Sequence, residues 1–428
     1  MSDTGRLRAA ALSLFESGLA AADPYQAVRR VLAARPRSRS LSRPQSRSQS
    51  RPRHILAVGK AARAMMAAAL DLDPGLDLDP RRKALVITND ENARPLQGAE
   101  VYAAGHPIPD ERGLQAGQRL VALLEETGPN DEILLLLSGG GSALIPCPVE
   151  GVSLEDKQRT SALMLAAGLP IQTINLVRQN LSKLKGGGLA RLAAPARFRS
   201  LILSDVIGDE IRAIASGPTA VPLGDRAAAR QALVRADLWT QVPRTVQHAL
   251  TRAETTFAAT AAENVIVGSN TKSLETIAAK SGGKIISRAL VGDVADAAWQ
   301  IAQAVQANPD PILLWGGETS VTVTGTGRGG RNQELALRVL QHLHLRDPHS
   351  RGESWAFLSG GSDGIDGPTD AAGGLVSSDM GFPLACQTAL DNNDAYTALT
   401  HLGGLLKTGA TGTNVADFQI FVRPALFR

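Results

Sequence analysis

The sequence predicts an α/β fold in two domains, and three observations carry that expectation. Short apolar runs alternate with segments of helical period, the pattern of a parallel sheet covered on both faces. Several of those runs exit directly into glycine-rich turns. The length, 428 residues, exceeds what one hydrophobic core usually serves.

The elements follow in order. Leu7, Ala11, Leu14 and Leu19 recur at helical spacing. They predict an amphipathic first helix over 5–21 rather than a signal peptide, because Glu16 interrupts the apolar stretch. Residues 35–53 hold seven arginines among serines and prolines, with no acid. Such a stretch has little to bury and repels itself, so it is expected to be a disordered insert. No aromatic residue is interleaved to stack on bases, which favours a tolerated low-complexity expansion over an RNA-binding arm. His54–Val58 reads as a strand ending in Gly59-Lys60, with a helix over 61–70 behind it. A second strand, 84–87, ends at Thr88-Asn89-Asp90, and 113–126 reads as a helix stopped by Gly128-Pro129. Ile133–Leu137 drives into Ser138-Gly139-Gly140-Gly141-Ser142. Ser153 to Asp156 reads as a capping box, opening a helix that Gly168 and Pro170 end. Ile174, Val177, Leu181 and Leu184 form an apolar stripe, with Arg178 and Lys185 two turns apart beside it, before Gly186-Gly187-Gly188. Leu201–Leu203 is a strand closing on Ser204-Asp205.

The stretch 220–262 is mixed and helical, and the domain division is placed there, with domains at 1–250 and 262–428. A second α/β run starts at Asn264–Val267 and continues through strands at 284–287 and 312–315. Residues 320–324, Ser-Val-Thr-Val-Thr, alternate with period two and predict a half-exposed antiparallel strand, hence a mixed second sheet. Gly325-Thr326-Gly327-Arg328-Gly329-Gly330-Arg331 then leads into a helix over 332–343. A strand at 356–358 runs into Ser359-Gly360-Gly361-Ser362-Asp363, with Asp366 and Asp370 close behind.

Composition excludes several classes. Apolar residues make up 43% and charged residues 20%, as in ordinary globular proteins. The formal charge is +4, but the seven arginines of 35–53 account for more than that surplus. The basic balance is therefore no sign of a nucleic-acid partner. Cys147 and Cys386 supply neither a disulfide framework nor a CxxC knuckle, so a reducing cytoplasm is the expectation. No apolar run approaches the roughly 18 residues a membrane helix needs.

Ligands of parallel α/β sheets sit beyond the carboxyl ends of the strands. Lys60, the loop Ser138, Gly139, Gly140, Gly141, Ser142, and Asp205 all occupy such positions. A glycine loop leaves backbone N–H groups unblocked for an anion. Gly327, Gly329 and Gly330 offer a second such loop, and Arg331 follows it at a helix start, where the dipole disfavours a cation. Phosphoryl transfer needs cations on the migrating charge, a metal ligand and a proton acceptor. Lys60 and Arg331 suit the first need, and Asp205 suits the metal or the proton. Asp363 is a second metal candidate. Arg178 and Lys185 could meet the carboxylate of a small acid.

Gly325-x-Gly327-x-x-Gly330 spells a dinucleotide fingerprint, but the strand before it has a polar face and no acid ends the next strand. The residues of a Walker A loop and of the protein-kinase H-R-D are absent, no H-x-x-x-H histidine pair is flanked by an acid, and Gly140-Gly141-Ser142-Ala143-Leu144 lacks the second glycine of a G-x-S-x-G elbow.

Several stretches together resemble the glycerate 2-kinases. In the first half these are SGGGSALIPCP (138–148), SLEDKQRTSALMLAAG (153–168), INLVRQNLSKLKGGGLA (174–190) and SDVIGDEIRAIASGPT (204–219). GGETSVTVTGTGRGGRNQELAL (316–337), SDGIDGPTDAAGG (362–374) and TGTNVADFQI (411–420) resemble the C-terminal MOFRL domain of that family. The resemblance implies a larger Rossmann-like domain, a smaller α/β MOFRL domain and an active site in the cleft between them. It implies ATP- and Mg²⁺-dependent phosphorylation of D-glycerate on its 2-hydroxyl, with Lys60, Asp205 and Arg331 at the family's catalytic positions. The implied partner is that small-molecule substrate, with no nucleic acid and no membrane; a homo-oligomer is compatible. Older naming of such chains supplies the runner-up reading, an NAD(P)H-dependent hydroxypyruvate reductase. Departures from the family pattern are Gln179-Asn180 where V-R-K-H-L-S is usual, Gly188 in place of the arginine of K-G-G-R, and the 35–53 insert.

Overall fold

A computed structural model describes residues 2–34, 52–73, 81–253, 262–346 and 353–425. Residues 35–51 of the arginine–serine segment, and with them its expected disorder, lie outside the described residues. The chain divides into two compact units, 24–204 with 209–267, and 1–23 with 205–208 and 268–428.

The first unit is built on a six-stranded sheet of β1 (His54–Val58), β2 (Lys83–Asn89), β3 (Glu100–Ala104), β4 (Glu132–Leu137), β5 (Arg197–Leu203) and β6 (Ala262–Gly268), in the order β3-β2-β1-β4-β5-β6. The pairs from β3 to β5 are parallel. β1 is buried along its whole length and β2 and β4 along all but their first residue, which is why they read as continuous apolar runs. Register positions the site: Val58 lies opposite both Ile87 and Leu137, so β1 and β4 end level and Gly59 emerges beside Ser138.

Two sequence expectations shift here. Residues 264–267 belong to the last strand of the first sheet rather than opening a second run. Asn264 is tied there by the Thr219 hydroxyl, which donates to its Oδ1 at 2.6 Å. The stripe Ile174, Val177, Leu181, Leu184 is buried as expected, but the helix is Ile171–Asn180. Beyond it the chain pairs with 147–149 instead: Val149 N–H donates to Leu181 O, and Lys183 N–H to Cys147 O. Arg178 and Lys185 therefore do not share a helix. The capping box forms as read, Ser153 Oγ accepting from Asp156 N–H and Asp156 Oδ2 from Ser153 N–H, both at 3.0 Å.

The second unit carries a mixed sheet of β7 (Lys284–Asp293), β8 (Ile312–Ser320), β9 (Ala356–Gly361), β10 (Gly373–Ser377), β11 (Leu405–Leu406) and β12 (Asp417–Val422). Its order is β11-β10-β9-β12-β8-β7, with β7–β8 parallel and the other pairs antiparallel. Trp315, Phe357, Phe421 and Leu340 sit in its core. The helix Asp3–Ala21 packs in this unit, unlike the division at 1–250. Phe15 meets Phe418 edge-on at 5.9 Å, and Ser273 Oγ donates to Gly18 O at 2.9 Å. Sequence proximity alone could not place a helix joined to its neighbours by Asp23-Pro24 and packed on strands nearly four hundred residues later.

Candidate active site

In the first unit the exits of β1 and β4 build a glycine-lined corner. A side chain at Gly59 (φ +128) would collide with Ser138. Without one, Lys60 N–H donates to Gly139 O at 2.9 Å, and Ser138 Oγ accepts from Ala61 N–H at 3.0 Å. Ser138 thus steadies the turn at the start of the helix Ala62–Leu72. Gly140 is left-handed (φ +83), and a Cβ there would stand 3.1 Å from His106 Cδ2 and 3.2 Å from Lys60 Cγ. His106, which the sequence reading passed over, faces the loop beside Lys60. Burial, then the charge of Lys60, pushes its imidazole pKa down against the pull of Glu91.

Ser142 joins a buried network. Lys185 Nζ lies 2.7 Å from both Ser142 O and Ser142 Oγ, and Ser142 Oγ lies 2.9 Å from Ser216 Oγ. Ser216 Oγ donates to Asn175 Oδ1 at 3.0 Å. Lys185 is 4% exposed. Its pKa is driven far below the lysine range by burial, then by the charges of Lys157 and Arg178. Lys157 is also buried, its Nζ without a hydrogen-bond partner, and burial brings it to about 8. Arg178 Nε is 3.4 Å from Ser161 Oγ, and burial lowers its pKa too. Lys157, Arg178 and Lys185 form a basic cluster with no salt-bridge partner among the described residues. Lys157 was legible only as a helix residue; nothing in its spacing marked it.

In the second unit Arg331 opens the helix Arg331–Arg346. Its Nε and Nη2 reach Asp417 at 2.6 and 2.9 Å, and Nη1 reaches Glu318 at 3.2 Å. Burial alone would lower the guanidinium's pKa, but the hydrogen bonds and charge of Asp417, with Glu318 and Asp366, raise it. Asp417 is fully buried, so this bidentate pair fixes the arginine's plane. Arg331, Glu318 and Asp366 line a cavity of about 670 Å³. Burial raises the pKa of Glu318 against the pull of Arg331, and the charges of Asp417, Asp205 and Asp363 push the same way. Asp205 and Asp363 therefore lie in one electrostatic neighbourhood. Among the described residues, however, no group of three or more His, Cys, Asp or Glu side chains has metal-holding geometry.

The second glycine loop differs from expectation. β8 stops at Ser320, and 321–330 is neither strand nor helix. Asn393 Oδ1 accepts from Thr324 and Gly325 N–H, Asn392 Oδ1 from Thr326, Asn392 O from Gly327, and Asp394 Oδ1 from Arg328. The period-two strand read at 320–324 does not form beyond Ser320, the last residue of β8, and Thr324 N–H goes to a side-chain acceptor on Asn393 rather than to a neighbouring strand. Side chains at Gly325, Gly327 and Gly330 would collide with Asn392, Asp394 and Asp366 respectively. Asp366 also accepts from Asn332 and Gln333 N–H at 3.0 and 2.8 Å, capping the helix at its N-terminus. A dinucleotide fingerprint needs a tight strand-to-helix turn. Ten residues intervene here, so the loop 321–330 does not form that fingerprint turn. Asp417 was within reach of sequence reasoning, inside the quoted TGTNVADFQI, but nothing local tied it to Arg331.

Among the described residues no helix is long and apolar enough to cross a membrane. Residues 10–251 match the family described as a domain of unknown function, DUF4147, and residues 311–417 match the MOFRL family. The chain is 36% identical to the D-glycerate 2-kinase of Thermotoga maritima, covering 98% of this chain and 99% of that one. It is 35% identical to the glycerate kinase of Homo sapiens, covering 97% and 93%. The crystal structure of the glycerate kinase from Thermotoga maritima superposes with a TM-score of 0.85 at 34% identity, covering 98% of this chain and 100% of that chain. A full-length match of both sequence and fold leaves one assignment: the chain belongs to the glycerate kinase family, enzymes that transfer phosphate.

Proposed function

We propose that this protein transfers the γ-phosphoryl group of ATP to the 2-hydroxyl of D-glycerate. The observation that carries the reading is the similarity, over nearly the whole of both chains, to a D-glycerate 2-kinase. The site chemistry supports it. Lys60, half-buried beside a glycine loop, meets the oxygens of the transferring phosphoryl group. Backbone N–H groups of 139–142 hold nucleotide phosphate, Ser138 N–H being spent on Val58 O at 2.9 Å, while in the second glycine loop Gly329 and Gly330 are the members left to do so.

Arg331, its plane set by Asp417, takes the charge that grows in the transition state. Asp205 either accepts the hydroxyl proton or joins Asp363 in holding Mg²⁺. Two carboxylates suffice for Mg²⁺, which keeps several waters and substrate phosphate oxygens as its remaining ligands. When bound, the metal would neutralise charge between the phosphates. Arg178 and Lys185 serve the substrate's carboxylate: Arg178 by direct contact, and Lys185 by orienting the Ser142 hydroxyl. Two buried, free cysteines suit a reducing cytoplasm, where we place the reaction.

The test is phosphorus NMR of the product formed from ATP and D-glycerate. A phosphomonoester on the 2-carbon is expected. A 3-phosphoester would overturn the regiochemistry, and no ATP-dependent product would overturn the proposal.

A further inference from the structure

The helices Arg226–Arg235 and Arg244–Thr251 carry four arginines and no acid, although the whole chain is nearly balanced at 45 basic and 41 acidic residues. A solvated helix face ordinarily mixes the two signs, because like charges one turn apart repel. Arg226 and Arg230 stand at that spacing. Together with Arg235, and with Arg252 just past the second helix, they line a cavity of about 580 Å³. That is the size of a small-molecule site. Asp225 is the one acid in the lining among the described residues, and its Oδ1 already accepts from Ala228 N–H at 2.7 Å as a helix cap. No salt bridge reaches Arg230, Arg235 or Arg252 among the described residues.

Three of the four guanidiniums are held in place. Arg226 Nη1 donates to Ala253 O at 3.2 Å, and Arg252 Nη1 donates to Glu150 O at 3.3 Å. Each bond uses one of the five N–H donors of its fork. Arg230 lies over the Trp239 ring, its Cζ 5.2 Å from the centroid, a stacking that sets the plane and spends none of its N–H groups. Arg230, Arg235 and Arg252 are exposed, so an incoming anion reaches them without unfolding anything. Val234 and Leu250 add an apolar wall, and a low-dielectric wall beside charges of one sign focuses their field. Lys60, Asp205, Arg331, Arg178, Lys185 and the 138–142 loop are not in this lining.

We infer that this cavity is a binding site for a small anion carrying two phosphate groups, separate from the residues of phosphoryl transfer. The charges match: four guanidiniums less one carboxylate face a ligand whose two phosphates bring about −3 to −4 at neutral pH. The shapes match as well. The planar arginine fork pairs two N–H groups with two oxygens of one phosphate, and a phosphate has oxygens enough to be gripped from two directions at once. A single carboxylate would leave most of those donors unused.

Modification of arginines by phenylglyoxal, read by peptide mapping, tests the site without nucleotide or glycerate, so failure here leaves the kinase proposal standing. Inorganic pyrophosphate is the probe, with sodium chloride holding the ionic strength constant. Near saturation it is expected to slow modification of Arg230, Arg235 and Arg252 about tenfold, the effect of roughly nine-tenths occupancy. Arg244, exposed and outside the lining, should react at its original rate. The double substitution Arg230→Gln with Arg235→Gln should remove the protection of Arg252. No slowing at the cavity, equal slowing of Arg244, equal protection by citrate, or protection of Arg252 that survives both substitutions overturns the proposal. If the double variant does not fold, the three wild-type comparisons decide.

Discussion

The two loops share a richness in glycine and are used in opposite ways. At 138–142 the glycines bring the chain past Gly59 and the side chains of Lys60 and His106, beside functional candidates rather than onto a structural strap. At 325–330 the glycines let the backbone press onto Asn392, Asp394 and Asp366, and most of its N–H groups are spent on protein acceptors. The first loop presents backbone. The second is a strap that carries Arg331 to the start of its helix and to Asp417. Glycine richness therefore signals close approach, and only the partner reveals whether that partner is ligand or protein.

The largest effect should come from the charge that the second loop delivers. Arg331→Ala is expected to lower kcat by on the order of a thousandfold, as for other cations stabilising a phosphoryl-transfer transition state. Steady-state kinetics check it; near-normal turnover would remove Arg331 from the reaction. Asp417→Asn should come next, slowing turnover and lowering urea stability together, because it loosens the arginine and leaves part of a buried pair unmet. A loss of roughly 2 kcal/mol is expected, below the value of a fully buried pair, since the Arg331 side chain is 32% exposed and keeps Glu318. A variant with lost activity and unchanged stability would mean that Asp417 acts on substrate instead.

Substituting the loops themselves sharpens the contrast. Gly140→Ala, strained at φ +83 and crowding His106 and Lys60, is expected to raise the KM for nucleotide roughly tenfold, about 1.4 kcal/mol of lost contact, with little change in Tm. Gly327→Ala should do the reverse, costing about 1–3 kcal/mol of stability by overpacking against Asp394 while leaving KM alone in the folded fraction. Matching effects at both positions would dissolve the distinction drawn here.

The smallest effect is a pH dependence in the first unit. His54 is fully buried on β1, and burial, then Arg53, lowers its pKa to about 4. The unfolded chain takes up this proton near pH 6.5, so between about 6.5 and 4 unfolding binds a proton that the fold refuses. Stability is therefore whole above pH 6.5 and declines as pH falls towards 4. His54→Phe should flatten that part of the urea-midpoint profile, and an unchanged slope would assign it to other groups.

Much of this molecule was legible in the linear chain. Buried parallel strands announce themselves as apolar runs, so β1, β2, β4 and the glycine exits were placed to within a few residues, and the capping box at Ser153 was read from four letters. These are local consequences of covalent spacing, of period two or 3.6, and of which residues tolerate a turn. Tertiary packing alone decided the rest. It placed the first helix on β9 and β12 and gave 262–268 to the first sheet. It ended the helix before Lys185, turned the alternating stretch 320–324 into a strap, and set Asp417 under Arg331 and Ser216 behind Ser142. Each of these depends on which distant group supplies a hydrogen-bond acceptor, a counter-charge or an apolar face, and separation along the chain carries no record of that choice.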